Sequence, residues 1–202
     1  HHMRTQKADI RELLAESLKQ LTLKNSFAKI TVKDITDAAN VSRPTFYNHF
    51  QDKYSLLEWI FETEVVAPVK LLLDNEMTNE ALIVLFSNIQ KERDFYQNVY
   101  QTEGQNCFGE IVRDSFQRVL QEIFAAKINP QKVTDFWQTP ENLARYYSWG
   151  LQFVLFVWIE SEYPVSPRKM AEILHILMTT ALEDIVERLE DGHACLDNRE
   201  DL

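Results

Sequence analysis

Glycine is scarce, with 4 residues in 202, about 2% where soluble proteins average about 7%. β-Sandwiches and phosphate-cradling α/β folds need glycine at tight turns and close backbone approaches. The scarcity predicts an all-α fold. Cysteine is sparser still. Cys107 and Cys195 stand apart with no C-x-x-C pair, so neither a disulfide framework nor a zinc site can be read. No metal or cofactor is expected, and a reduced, cytoplasmic setting fits. Long apolar runs are missing too. The longest, Phe153 to Ile159, falls far short of the ~20 residues that span a bilayer, so no membrane partner is expected. His1-His2 before Met3 reads as an expression remnant, and the following stretch leads into an amphipathic helix rather than an apolar signal core.

Catalytic signatures are also missing. Beyond the first two residues the histidines are His49, His175 and His193, far apart in the chain. There is no Gly-rich phosphate loop, G-x-S-x-G elbow or metal-spaced His/Cys cluster. Glu160 and Glu162, two residues apart, cannot share a helix face. The chain is not expected to be an enzyme.

What is present is an uneven distribution of charge. The net charge is −10, which taken alone argues against a polyanionic partner. Residues 1–60, however, carry nine Lys and Arg against seven Asp and Glu, a net of +2. Residues 61–202 carry twelve against twenty-four, a net of −12. The first quarter is suited to meet nucleic acid and the remainder is not.

Periodicity predicts helices throughout. Ile10, Leu13, Leu14, Leu18 and Leu21 recur at helical spacing. Thr31-Val-Lys-Asp34 has capping-box form with Asp in the usual place of Glu, opening a short helix with Ile35, Ala38 and Ala39 on one face. Asn40 interrupts it, and Asn tolerates the left-handed conformation of a tight turn. Ser42 caps a third helix, with Pro44 in its first turn. Asp52 caps a fourth, which Pro68 kinks or ends. Thr78, Thr139-Pro140 and Ser166-Pro167 open later helices. Phe95 to Tyr100 reads as a short aromatic helix, and the last long helix runs to about Leu189.

Two short helices joined at a tight corner spell a helix-turn-helix. Phe46 and Phe50, four apart, face inward, while Arg43, Thr45, Tyr47 and His49 lie on the other sides. No carboxylate interrupts these donors, as a surface for phosphates and base edges requires. A plain helical hairpin with a polar face fits the same pattern.

The stretch from Ile30 to Lys53, above all Val41-Ser-Arg-Pro-Thr-Phe-Tyr-Asn-His-Phe50 with Asp52-Lys53, resembles the DNA-binding segment of TetR-family transcriptional regulators. The resemblance covers about residues 7–62, departing at Asn40 where the family usually has Gly. It implies a three-helix DNA-binding domain over 5–52 and a bundle of about six helices for effector sensing and dimerisation over 53–192, with an acidic tail over 193–202. It further implies a recognition helix from Arg43 to His49. Arg43 and Thr45 then fall at base edges, Tyr47, His49 and Lys53 at phosphates, and Thr31 and Lys33 near DNA. Ser42, Pro44 and Asn48 complete the contact set. Tyr47 serves equally as a partly buried packing residue.

The later segments Arg93 to Tyr100 with Gly104 to Asn106, and Tyr147 to Leu151 with Trp158 to Glu160, resemble a subtype that includes regulators of dihydroxyacetone kinase operons. The implied partners are a double-stranded operator, a second copy of the chain, and an effector that is a small molecule or a protein co-regulator. Dimerisation is assigned to Phe153, Phe156 and Val157, then Ile173 and Leu177, then Ala181, Leu182 and Ile185. An apolar helix at 143–159 also suits a monomer core. For an effector pocket the candidates are Trp59, Phe86, Phe95 and Tyr96, with Tyr100, Phe108, Arg113 and Phe116; Gln105 and Asn106 are possible polar groups. The competing function is a helical interaction module of this fold that no longer binds DNA.

Overall fold

The computed structural model describes residues 9–103 and 107–190, and the fold is all-α among them. Gln105, Asn106, Cys195 and the acidic tail lie outside the described residues. Helix α1 (Ile10–Thr22) starts at Asp9, whose carboxylate accepts from the Arg11 amide at 3.0 Å. A 3-10 turn (Phe27–Lys29) leads to α2 (Val32–Ala39) and α3 (Arg43–Tyr47). Leu14, Leu18, Phe27, Ile35, Phe46 and Leu57 close a small core. Ala39 packs against it, whereas Ala38 faces outward instead of easing a close helix approach.

Helix α4 (Lys53–Phe61) is capped reciprocally by Asp52 and Ser55. It does not end at Pro68. A π turn (Glu62–Val66) widens the helix, and α5 (Ala67–Asp74) continues with Pro68 in its first turn. Pro68 has no N–H for the carbonyl four residues back. Asn88 supplies one, its Nδ2 donating to Glu64 O at 2.8 Å. Glu62, on the same turn, accepts from Ser115 Oγ and Arg118.

The rest is a bundle of α6 (Thr78–Lys91), α7 (Arg93–Glu103), α8 (Cys107–Lys127), α9 (Pro140–Glu160), α10 (Pro167–Thr179) and α11 (Leu182–Glu190). Helix α8 lies along α9, and α10 along α6. At Gly109 a Cβ would come within 2.9 Å of Gln152 Nε2, so a larger residue here would displace the Gln152 and Arg113 side-chain ends.

Three expectations change. Thr78 is the first residue of α6 and Met77 takes the cap position without a side-chain bond. The aromatic helix runs longer, through Arg93–Glu103. The last helix is two: Thr180 is extended, with φ −107° and ψ 133°, so Thr179 and Leu182 belong to separate segments. β-Branched Thr179 and Thr180 sit where the helix is least favoured.

Candidate nucleic-acid interface

The corner between α2 and α3 is built as its residues require. Asn40 takes φ 53° and ψ 46°, the left-handed conformation that Asn adopts at modest cost. The Val41 amide then closes onto Thr36 O at 3.0 Å. At the start of α2 the Thr31 hydroxyl accepts from the Asp34 amide at 3.2 Å, and the Thr31 amide donates to Asp34 Oδ2 at 2.8 Å. The Thr31 hydroxyl also donates to Asp34 Oδ2 at 2.7 Å, and this bond first, then that of the Thr31 amide, holds the Asp34 carboxyl below its ordinary range. Ser42 Oγ accepts from the Thr45 amide at 3.2 Å and pairs with Thr45 Oγ1 at 2.7 Å. The caps therefore use the hydroxyls of Thr31, Ser42 and Thr45 for helix geometry first.

Phe46 is fully buried and meets Phe50 at 5.8 Å between ring centroids. That anchor turns the opposite face of α3 outward. Arg43, Pro44, Tyr47, Asn48 and His49 are exposed there, and Thr45 is half-buried. Tyr47 is 56% exposed while its ring still touches Phe46 edge-on. Lys33 is exposed and, among the described residues, pairs with exposed Asp37 one turn on, a contact of little worth that leaves its charge exchangeable for a phosphate.

Lys53 is placed differently from the expectation. Its ammonium donates to Phe27 O at 2.7 Å and to Ala28 O and Ile30 O at 3.0 Å each, and lies 4.7 Å from the Phe27 ring centre. These carbonyls close the 3-10 turn, so Lys53 ties α4 to the approach to α2. Phosphate contact by its side chain would forfeit those bonds.

The expected aromatic pocket is mostly packing. Phe108 stacks on Tyr96 at 5.8 Å and on Phe156 at 5.4 Å, and Phe61 meets Phe116 at 5.9 Å. Phe86 and Phe95 are buried, Phe86 edge-on to Trp158. Tyr100 packs on Phe156, and Trp59 sits on Phe50 beside the first three helices. Arg113 donates to Gln152 Oε1 at 3.1 Å and covers Trp149. An apolar cavity of about 310 Å³ lies elsewhere, between α5, α6, α8, α9 and α10, with walls that include Val69, Leu82, Val119, Leu151 and Met178. Of the expected set Phe116 alone lines it. Its aromatic walls are Phe116, Phe124 and Tyr147, the last two not among the expected pocket residues.

Phe156 is likewise inside the protomer, 4% exposed. The helix face that remains open carries Phe153 (68% exposed), Val157, Leu177 and Leu182. Ala181 is exposed and Ile173 and Ile185 half-exposed. Tyr146 and Trp149, outside the assigned dimer set, extend this face two turns and one turn before Phe153. Helix α9 is therefore two-sided, neither wholly core nor wholly surface.

Two family profiles match the chain. "Bacterial regulatory proteins, tetR family" covers residues 14–60, and "Transcriptional regulator C-terminal region" covers residues 76–180, just over half of the chain. This chain belongs to the TetR family of transcriptional regulators. It is a DNA-binding regulator, with the exposed face of α3 on its helix-turn-helix. It is 32% identical over 89 residues to the "HTH-type dhaKLM operon transcriptional activator DhaS" of Lactococcus lactis, which spans 44% of this chain and 48% of that one. The chain thus covers about half the length of this curated relative. Among solved structures it resembles a dihydroxyacetone kinase operon activator DhaS (TM-score 0.57, 22% identity, 88% and 97% of the two chains). It also resembles a putative TetR-family regulator from Syntrophomonas wolfei (TM-score 0.63, 15% identity, 88% and 98%). A third is Thermus thermophilus FadR, a repressor solved with lauroyl-CoA (TM-score 0.55, 19% identity, 85% and 95%). The relatives are transcriptional regulators, not enzymes. Among the described residues no helix is long and apolar enough to cross a membrane.

Proposed function

We propose that this TetR-family protein is a cytoplasmic, homodimeric repressor of a near-palindromic operator, released by an effector. The division of labour is a reading head over 5–52, a sensing and dimerising body over 53–192, and an acidic tail over 193–202. Thr31, Lys33, Ser42, Arg43, Pro44, Thr45, Tyr47, Asn48 and His49 meet DNA, with Arg43 reading a base edge through its bidentate fork. Lys53 acts from behind, by fixing the approach to α2.

The observation that carries the reading is the open apolar face of α9, α10 and α11. Tyr146, Trp149, Phe153, Leu177 and Leu182 are each more than half exposed, a patch that a water-soluble monomer rarely leaves bare. A two-fold copy of the same face covers it and sets two α3 helices one DNA turn apart, ~34–36 Å. The 310 Å³ cavity is the effector chamber, at the low end of ligand-pocket volumes. Its walls include Val66, the last residue of the π turn, and Val69 in α5, so occupancy acts on the helix that continues from α4 and shifts the population of head poses.

The name of the Lactococcus lactis relative favours a second reading, in which the same DNA-bound dimer activates transcription. Selection of bound fragments from a random DNA pool, followed by sedimentation of wild type and Phe153→Glu, tests the dimeric reading. The expected result is a near-palindrome and a dimer that Phe153→Glu converts to monomer. A wild-type monomer at micromolar concentration overturns it. Deleting the gene then gives the sign, since the repressor reading expects the target transcript to rise.

A further inference from the structure

We infer that Asn98 is a positioning residue for operator binding: from α7 it fixes the pose of the reading head by completing hydrogen bonds that the end of α1 cannot make for itself. This rests on the proposed two-headed binding of DNA.

A helix ends with carbonyls that have no partner of their own. At the end of α1, Lys19 O accepts from Thr22 Oγ1, Gln20 O from the Leu23 amide, and Leu21 O from the Lys24 and Asn25 amides. Asn98 Nδ2 donates to Thr22 O at 2.8 Å and to Asn25 O at 3.0 Å, while Asn98 Oδ1 accepts from the Phe27 amide at 2.9 Å. Both amide hydrogens and the acceptor of the side chain are thus in use. Ser26, which caps the 3-10 turn without a side-chain bond to it, pairs its Oγ with Thr102 Oγ1 at 3.1 Å, one turn along α7. The corner from Thr22 to Phe27 is therefore docked on α7 by Asn98 and Thr102, and its continuation is held from the other side by Lys53.

The partners of Asn98 all fall within the residues matched by the DNA-binding profile, and Asn98 falls within the residues matched by the C-terminal profile. The side chain is a bond between the two parts. A second bond has the same sense: Lys19, 8% exposed, reaches Glu64 on the π turn at 2.6 Å and Glu92 just before α7 at 3.4 Å. The neighbouring face of α7 carries Phe95, Tyr96 and Val99, all buried. With one face in the body's core and the other on the head's corner, α7 transmits the body's orientation to the head. Two heads gain from each other only when both are held at the spacing of their half-sites. Asn98 touches no DNA, so its removal acts on that gain and leaves the contacts of each head intact.

The test uses the full chain with Asn98→Leu, and with Asn98→Asp as a second variant that keeps the acceptor for the Phe27 amide and loses both donors. Spin labels at Gln51→Cys and Gln121→Cys, with Cys107 and Cys195 replaced by serine, report the head-to-body distance in one labelled protomer diluted into unlabelled chain. The distance distribution is expected to broaden in both variants while melting by circular dichroism stays a single transition. An unchanged distribution overturns the inference. On DNA selected with the wild type, affinity for the full site is expected to fall about tenfold or more. Affinity for a single half-site should stay within about twofold, and the preference for one spacer length should flatten. Equal losses on half-site and full site overturn the inference, because Asn98 would then act inside the head. A broadened distribution with full-site affinity intact overturns it as well. If wild type gains nothing from a second half-site, the two-headed reading fails and the role in operator binding fails with it; the distance measurement still decides whether Asn98 holds the head.

Discussion

The first four helices and the bundle that follows solve opposite problems. The former close a small core around Phe46 and Ile35 and leave polar and cationic groups outside, with a net charge of +2 over residues 1–60. The latter carries −12 and leaves its aromatics outside on α9. One surface is suited to a polyanion and the other to apolar contact. Because the body repels DNA, attraction is confined to one end of the molecule, and non-specific binding should be weak and strongly salt-dependent.

The contrast can be broken most severely at Phe46. Phe46→Ala removes the anchor of α3 and should destabilise the head by about 3–5 kcal/mol. Denaturant unfolding should then show the head melting ahead of a still helical body. Coincident melting of both would mean that the division is not energetic. Next in size is Arg43→Ala, expected to weaken specific binding by about 1–3 kcal/mol and to relax one base position in a selection experiment. Unchanged selectivity would remove Arg43 as a reader. Two lysines sharpen the comparison within the head. Lys33→Ala should lower the slope of log affinity against log salt by about one with little change in melting. Lys53→Ala should instead lower melting, through three lost carbonyl bonds, and leave that slope alone. The smallest effect is an acid one. Thr31 holds Asp34 below its unperturbed 3.8, so the cap of α2 is fully formed above about pH 4 and is lost as the pH falls through the lowered value. In Thr31→Val an NMR titration should return Asp34 toward 3.8.

Much of this head could be read from the chain. Caps at Thr31, Ser42 and Asp52, the Asn40 corner and the inward pair Phe46 and Phe50 all depend on local chemistry, which residue order carries directly. What could not be read depends on distant elements. The ammonium of Lys53 turns inward because three carbonyls from residues 27–30 converge on it, and nothing near Lys53 in the chain announces them. Asn98 looks like any polar residue on α7 until the end of α1 is brought beside it. Aromatic residues signal burial, and burial marks core as readily as cavity; Phe108 and Tyr96 are stacked in the core. Composition could not separate the two sides of α9, where Phe156 points in and Phe153 out.

The π turn at Glu62–Val66 has a consequence for register. An α-helix advances about 100° per residue, so one residue taken up in a wider turn rotates everything after it by that amount relative to a regular helix. Leu57, Ile60 and Phe61 before the turn, Val65 and Val66 at its end, and Val69 after it are all buried, those on either side in their own phase. Deleting one residue within the turn would straighten the helix and swing Val69 and Leu73 off the cavity wall without altering a single side chain. The two halves of the helix are thus phased independently, and the turn is the joint at which one frame of reference gives way to the other.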